Sequence, residues 1–453
     1  MRIRPAACAA LLVAAFVPVL SAPPASAAAA KYADDFDGDG YRDYATYAPG
    51  HSPGGGVLVT FGTATATGPG TRTQVIDQSS PGVPGADEDG DLFGGVMAPA
   101  DFNADGYADL AVTAYGEDVD GRTEQGSVTI LWGGAGGLSG GTSVPNMGAK
   151  KSDGHFGRDL AAGDFDGDGK KDLAAISAGK TYVYRGPLTP AGATGAVTTL
   201  NRSSAGLDAR SLVAGNVNGD GKTDLVVVGL ADSPSFGTDA WFIKGGATLT
   251  PGKSLRLVTD YGDGAEGAGV IADFNKDGYG DLAVGSMMYG DYQGRVSLWY
   301  GSATGPAGST RITQATSGVA GTPETGDSFG SSLSAADVDG DGYQDLAVGA
   351  YGEKISKQAT EGGVHVLRGG PDGVTGAGSQ WFARNTSGVP GSVAWNDCFG
   401  ATVRLRDTDR DGHADLFVTG IVDGSLRLPG TASGITTTGV SPADTDVVEG
   451  MLQ

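Results

Sequence analysis

Along this chain apolar residues come in short runs separated by Gly, Asp and Asn, and nowhere does the 3.6-residue spacing of an amphipathic helix take hold. The runs come in pairs. The first follows an acidic stretch directly, as Leu346-Ala347-Val348 does, and the second comes after a variable turn and ends in Gly. The second runs cover 57–61, 128–132, 182–184, 241–243, 296–300, 364–367 and 426–428. Short apolar runs bounded by turn residues predict β-strands, and the pairing predicts hairpins.

The acidic stretch is one eleven-residue phrase occurring seven times: DFDGDGYRDYA from Asp35, DFNADGYADLA from Asp101, DFDGDGKKDLA from Asp164, NVNGDGKTDLV from Asn216, DFNKDGYGDLA from Asp273, DVDGDGYQDLA from Asp337 and DTDRDGHADLF from Asp407. Successive copies start 66, 63, 52, 57, 64 and 70 residues apart. Eight residues before the first acid, four units carry Phe93-Gly94, Phe156-Gly157, Phe329-Gly330 and Phe399-Gly400. A unit of three or four short strands cannot cover both faces of its own sheet, so neighbouring units must cover it. Seven sheets packed face to face around an axis meet that need. The predicted fold is all-β, a seven-bladed β-propeller over residues 28–453. A linear solenoid is the alternative, but its units are usually shorter.

Composition sharpens this picture. The 80 glycines, without a three-residue period, signify many turns. Residues 1–27 carry Arg2 and Arg4, an apolar run and Ala25-Ser26-Ala27, the pattern of a Sec-type signal peptide, so the protein is expected to be secreted with its mature start near Ala28. Pro18, Pro23 and Pro24 interrupt the run and argue against a membrane span. Cys398 is the only cysteine beyond the leader, so no intrachain disulfide can staple the fold. Loss of the two leader arginines takes the formal charge from −23 to −25, which argues against nucleic acid or an anionic membrane as partner.

The acids are not scattered; they sit at alternate positions of the phrase, where a short loop points oxygens inward around a hard cation such as Ca²⁺. Side chains at positions one, three, five and nine and the carbonyl at position seven are the expected ligands. These are Asp35, Asp37, Asp39, Tyr41 and Asp43 in the first loop; Asp101, Asn103, Asp105, Tyr107 and Asp109 in the second; and Asp164, Asp166, Asp168, Lys170 and Asp172 in the third. The fourth offers Asn216, Asn218, Asp220, Lys222 and Asp224, and the fifth Asp273, Asn275, Asp277, Tyr279 and Asp281. Asp337, Asp339, Asp341, Tyr343 and Asp345 form the sixth set, and Asp407, Asp409, Asp411, His413 and Asp415 the seventh. Position six is Gly in every copy, where the chain must turn sharply around the ion. Position twelve, a Glu in an EF-hand, is Thr46, Val112, Ala175, Val227, Val284, Val348 or Val418, so position nine closes the loop instead. Up to seven structural Ca²⁺ are expected, bringing the charge from −25 to −11. The fourth loop has two carboxylates and should empty first.

Phe-Gly, the DxDGDGxxDLAVGA stretch and the following G-x-V-x-V-x-x-G together resemble the FG-GAP repeat of the integrin α-subunit head and of bacterial secreted proteins. The resemblance implies a seven-bladed propeller with calcium loops in hairpins along one rim, and it brings cell adhesion as an inherited function. Three units depart from it, with Ala27-Ala28, Asp208-Ala209 and Ala265-Glu266 in place of Phe-Gly.

One catalytic pattern occurs. Gly326-Asp327-Ser328-Phe329-Gly330 matches the G-x-S-x-G elbow of serine hydrolases, but it overlaps a Phe-Gly and is followed by strand and metal loop rather than by a helix. His51, His155 and His365 lie in separate units, and Cys398 reads as a small buried apolar residue. The reading is therefore an extracellular binding or adhesion module, monomeric, meeting a protein or glycan through variable loops such as 116–125 and 351–362. Tyr115, Tyr289, Tyr292 and Tyr351 are candidate exposed contacts, with packing between blades as the other use for them. The alternative is a calcium-assisted extracellular hydrolase or lyase acting on phosphodiesters or polysaccharides.

Overall fold

The structure, a computed structural model, describes residues 30–64, 69–202, 206–232, 235–259, 269–356 and 360–452. The leader expected at 1–27, Ala27-Ala28 and Ala265-Glu266 lie outside the described residues.

Seven antiparallel sheets follow one another, each pairing its strands in chain order. The first has three strands, β1 (Tyr44–Tyr47), β2 (Val57–Thr60) and β3 (Thr73–Ile76). Blade two has β4 (Phe93–Ala100), β5 (Asp109–Ala114), β6 (Ser127–Trp132) and β7 (Ser139–Ser143); blade three has β8 (Leu160–Gly163), β9 (Asp172–Ser177), β10 (Lys180–Tyr184) and β11 (Val197–Leu200). Blade four has β12 (Leu207–Gly215), β13 (Asp224–Ala231), β14 (Gly237–Lys244) and β15 (Thr250–Val258). In blade five β16 (Gly269–Ala272) and β17 (Asp281–Gly285) lead through a helical turn, α1 (Tyr289–Tyr292), to β18 (Val296–Trp299) and β19 (Ser309–Ile312). Blade six has β20 (Leu333–Ala336), β21 (Asp345–Ala350), β22 (Gly363–Leu367) and β23 (Gln380–Phe382). Blade seven has β24 (Val403–Arg406), β25 (Asp415–Val418), β26 (Ser425–Leu428) and β27 (Ser441–Ala443), followed by α2 (Thr445–Glu449). Each run expected as a second strand of a pair lies within or at the end of one of these strands.

The first strands β4, β8, β12, β16, β20 and β24 pack on one another in succession and ring the axis. A cavity of about 430 Å³ remains there, lined by Met97, Leu160, Leu212, Val213, Ile271 and Leu452 among others. Apolar residues gather in the seams between blades. Phe36 at loop position two packs with Val57 and Leu110 in the seam of blades one and two, and Phe102, Phe165, Val217, Phe274 and Val338 repeat this up to the seam of blades six and seven. The Phe of Phe-Gly enters the same seams from the other side, so Phe93, Phe156, Phe329 and Phe399 are all fully buried. Phe156 crosses so close to blade two that a Cβ on Gly126 would stand 2.4 Å from its backbone nitrogen.

The seam between blades seven and one differs. Position two of the last loop is Thr408, and among the described residues blade one has no strand inside β1. The C-terminal segment fills the second gap, with Val447, Val448 and Met451 packed against Tyr44 and Phe417, whereas a cavity of about 400 Å³ remains beside Thr408. The Ala45 N–H donates to the Gly450 carbonyl at 3.1 Å, and Thr46 Oγ1 donates to the Asp446 carbonyl. Arg404 Nε and Arg406 Nη2 donate to the carbonyls of Met451 and Leu452 at 2.8 and 2.9 Å. Asp444 caps α2, accepting the Asp446 N–H at 3.0 Å. The tail thus closes the ring.

Candidate metal centre

In blades two to seven the acidic loop joins the first and second strands, and in blade one it leads into β1. All seven therefore lie at one end of the propeller. At position six φ is between 82° and 94° in every loop, and an added Cβ would meet nothing within 4 Å at Gly40, Gly169, Gly221, Gly278 and Gly412. Glycine is thus required chiefly for its backbone conformation. Position four is left-handed as well, including Ala104, Lys276 and Arg410 with φ of 59°, 57° and 62°.

Backbone N–H groups hold the acids in place. Position one accepts from positions five and six, as Asp101 does from Asp105 and Gly106 and Asp273 from Asp277 and Gly278, each at 2.9–3.1 Å. Oδ1 of position five accepts from position seven: Tyr41, Tyr107, Lys170, Lys222, Tyr279, Tyr343 and His413 donate to it. The side chains at position seven do more than the carbonyl role read from sequence. Those of Tyr107, Lys222, Tyr279, Tyr343 and His413 lie against position four of the preceding loop, with Tyr107 where a Cβ on Gly38 would come within 2.7 Å. Arg410 stacks over Tyr41 at 4.7 Å and carries this contact across the closing seam.

Position nine is the first residue of the following strand in blades two to seven and is buried throughout. Its carboxylate has a second task that the sequence did not disclose. Asp109 accepts the Phe102 N–H at 2.9 Å and the Gly133 N–H at 2.9 Å, tying the start of the loop to the glycine after the third strand. Asp43, Asp172, Asp224, Asp281 and Asp345 make the same pair of bonds. Asp415 holds Gly430 in this way and takes the Thr408 hydroxyl instead of the backbone N–H. Burial, with the neighbouring loop acids adding to it, pushes Asp43 and Asp109 up to about 7 and Asp172 and Asp281 to about 6.

The donor set fits a hard divalent cation. Asp35, Asp37 and Asp39, Asp164, Asp166 and Asp172, Asp337, Asp339 and Asp345, and Asp407, Asp409 and Asp411 each bring three carboxylate oxygens within 4.8 Å of one another. Asp35 Oδ1 and Asp409 Oδ1 are buried with no hydrogen-bond partner, as an oxygen facing an ion would be. Loops two, four and five have Asn at position three, and there the amide donates to position five: Asn103 to Asp105, Asn218 to Asp220 and Asn275 to Asp277.

The other candidates sort differently. Ser328 is buried at φ 58°, its Oγ points to the Gly326 carbonyl at 3.4 Å, and β20 follows it, so the geometry is that of a turn entering a blade. His365 is fully buried between the rings of Phe329 and Trp381, with centroids at 5.2 and 4.5 Å. Cys398 is half-buried and free. Of the four tyrosines expected on the surface, only Tyr292 is exposed. Tyr115 packs edge-on against His155, Tyr289 lies under Arg295 at 4.0 Å, and Tyr351 is half-buried. Exposed apolar side chains stand elsewhere: Trp395, Ile421 and Val422 are 65%, 68% and 51% exposed. The Val422 N–H donates to Asp397 Oδ1 at 2.7 Å and the Ile421 N–H to the Asp397 carbonyl at 2.8 Å, which brings the turn at 421–422 beside Asp397, two residues along the chain from Trp395, at the end of blade seven opposite the metal loop. The sequence signal was Gly420-Ile421-Val422-Asp423, where blades two and six read Ala-Tyr-Gly-Glu.

Fold and site define the class: a seven-bladed β-propeller with an acidic cation-type loop in every blade. The FG-GAP repeat family matches residues 93–131, 267–299 and 329–367, and the FG-GAP-like repeat family matches 164–227, so the chain is built of FG-GAP repeats and is integrin-like. Integrin alpha-PS2 of Drosophila melanogaster is 30% identical over 225 residues, covering 46% of this chain and 16% of that protein. Integrin alpha-PS5 of the same organism is 39% identical over 150 residues, 31% of this chain and 15% of that protein. Integrin alpha-IIb of Homo sapiens is 31% identical over 226 residues, 44% and 20% respectively. The matches thus span a fifth or less of these relatives. A crystal structure of a mutant of AofleA from Arthrobotrys oligospora aligns over 77% of this chain and 86% of that chain, with a TM-score of 0.36 and 11% identity, too distant to bear on the argument.

Proposed function

We propose that this protein is a secreted, calcium-binding β-propeller, with a signal peptide at 1–27 and the propeller at 28–453, that acts as a monomeric extracellular binding or adhesion module for a protein or glycan. The observation carrying the binding reading is the exposure of Trp395, Ile421 and Val422 at the end of blade seven away from its metal loop, where the Ile421 and Val422 N–H groups donate to Asp397. Contiguous apolar side chains exposed on a rigid scaffold mark interaction surfaces, and an exposed Trp suits a sugar ring or an apolar protein patch. The similarity to integrin α-subunits supports the same reading. Calcium serves the scaffold in it: ions at the seven loops fix the hairpins that hold neighbouring blades in register.

The test is an array of glycans and cell-surface proteins probed with the secreted protein, with Trp395→Ala alongside and with and without chelator. A ligand bound by the parent protein and lost by the variant is expected. Retention of every ligand by the variant would remove this surface from consideration.

A further inference from the structure

The loops differ in carboxylate count, and the arginines beside them differ in step. Each loop with Asp at position three has a guanidinium on that residue. Arg72 Nη1 is 2.6 Å from Asp37, Arg185 Nη1 3.1 Å from Asp166, and Arg427 Nη2 2.5 Å from Asp409, while Arg368 Nη1 pairs with Asp339. Loops two and five have Asn103 and Asn275 at this position. Just before the glycine that ends the third strand, where Arg185 and Arg368 precede Gly186 and Gly369, they carry Trp132 and Tyr300. The fourth carboxylate and the arginine thus arrive together four times and are absent together twice. Counting carboxylates and guanidinia alone, six loops present the same net charge, four carboxylates less one guanidinium or three carboxylates; Lys170 Nζ, 3.4 Å from Asp168, adds a cation to the third loop, and Lys276 Nζ, donating to the Asp341 carbonyl at 3.0 Å, adds one to the sixth. The fourth loop stands apart, with two carboxylates and with Lys222 and Lys244 at 3.5 and 3.4 Å from Asp220.

Three of the arginines also reach the next blade. Arg72 Nη2 donates to the Gly136 carbonyl at 2.7 Å, Arg185 Nη2 to Ala247 at 2.6 Å and Arg368 Nη2 to Ser433 at 2.9 Å, each acceptor lying in the turn after the third strand of that blade. A side chain fixed at both ends has little freedom to leave its acid.

Resting on the calcium reading above, we propose that Arg72, Arg185, Arg368 and Arg427 are positioning residues that set the calcium affinity of their loops: each holds the third-position carboxylate and offsets the charge of the fourth acid. The arginine stands beside the ion's place without being a ligand. Its removal should therefore tighten calcium binding, where loss of a merely structural residue would weaken it.

The experiment titrates calcium into the full chain in competition with a chelating dye. In R72Q/R185Q/R368Q/R427Q, four ions should bind roughly tenfold tighter, the gain expected when one unit charge about 6 Å from a divalent ion is removed in a water-like dielectric. Adding D37N, D166N, D339N and D409N should return those four to the parent affinity. Unchanged or weakened binding in the arginine variant overturns the proposal while leaving the calcium reading intact. A parent protein that binds no calcium overturns both. Should the quadruple variant not fold, Arg427→Gln alone decides: its two ion pairs lie within blade seven, and one ion should tighten.

Discussion

Blade four builds its sheet from strands of nine, eight, eight and nine residues around a loop with two carboxylates, whereas blade six has strands of four, six, five and three residues around a loop with four. Both bury their faces in the seams, and both tie loop to strand through position nine, Asp224 or Asp345. They differ in what completes the blade. Blade four extends its backbone ladder through β12 and β13 to Leu207 and Ala231, past the place where other units carry Phe-Gly. Blade six stops its ladder early, plugs the seam with Phe329 and gathers acids at one end. Ladder hydrogen bonds and a chelated ion are alternative ways to hold the same hairpin, and a short-stranded blade leans on the ion.

Calcium withdrawal should break the comparison open and is the largest effect expected. An ion at a hundredfold excess over its dissociation constant stabilises the folded state by about 2.7 kcal/mol, and several loops act together. Chelation should lower the melting temperature, and hydrogen exchange should rise in β20 to β23 well before β12 to β15. An unmoved melting curve would sink the structural role of calcium, and earlier opening of blade four would reverse the contrast.

The contrast was half legible in the sequence. The seven loops, their ligands and the strand pairs stood out because their chemistry is local and recurs in register; an acid at every second position has few uses other than an ion. The long ladder of blade four was not legible, since 207–215 carries Asp208, Arg210 and Ser211 and reads as a loop. It is a strand because Leu212 and Ala209 face the seam with blade three and Asp159 accepts the Leu212 N–H at 2.7 Å, a partner 53 residues away. The closing tail was hidden for the same reason. Val447, Val448 and Met451 have meaning only beside Tyr44, some 400 residues earlier, and Phe417. The arginine pairs were in view as residues, but nothing local connects Arg185 with Asp166.

A second effect sharpens the comparison from inside the blades. Four residues before the glycine that ends the third strand, blade four has Trp241 and blade six has His365, each opposite position twelve of its loop. Burial between Phe329 and Trp381 drives the His365 imidazole down to about 3, so it stays neutral in the fold. An unfolded chain takes up the proton near pH 6.5. The stability this residue allows is complete above pH 6.5 and is lost as pH falls from there towards 3. At pH 5 the loss is about 2 kcal/mol. His365→Phe should remove it, so that denaturation midpoints at pH 5 and pH 7, compared at saturating calcium, lie closer together than in the parent protein. An identical pH dependence in both proteins would mean that His365 is protonated within the fold.

The smallest change converts blade four towards blade six. Asn216 occupies the position where Asp337 accepts the Gly340 and Gly342 N–H groups at 2.7 and 2.8 Å, and no such pair forms at Asn216. Asn216→Asp supplies a third carboxylate against Lys222 and Lys244. The fourth loop, expected to empty first, should then bind calcium about tenfold more tightly and add about 1.4 kcal/mol to the stability of the calcium-loaded protein. With chelator the same substitution should add nothing, because blade four already stands on its ladder. A gain that survives chelation would show the new carboxylate acting through hydrogen bonds to the loop backbone, and the trade of ladder for ion would have to be abandoned for this blade.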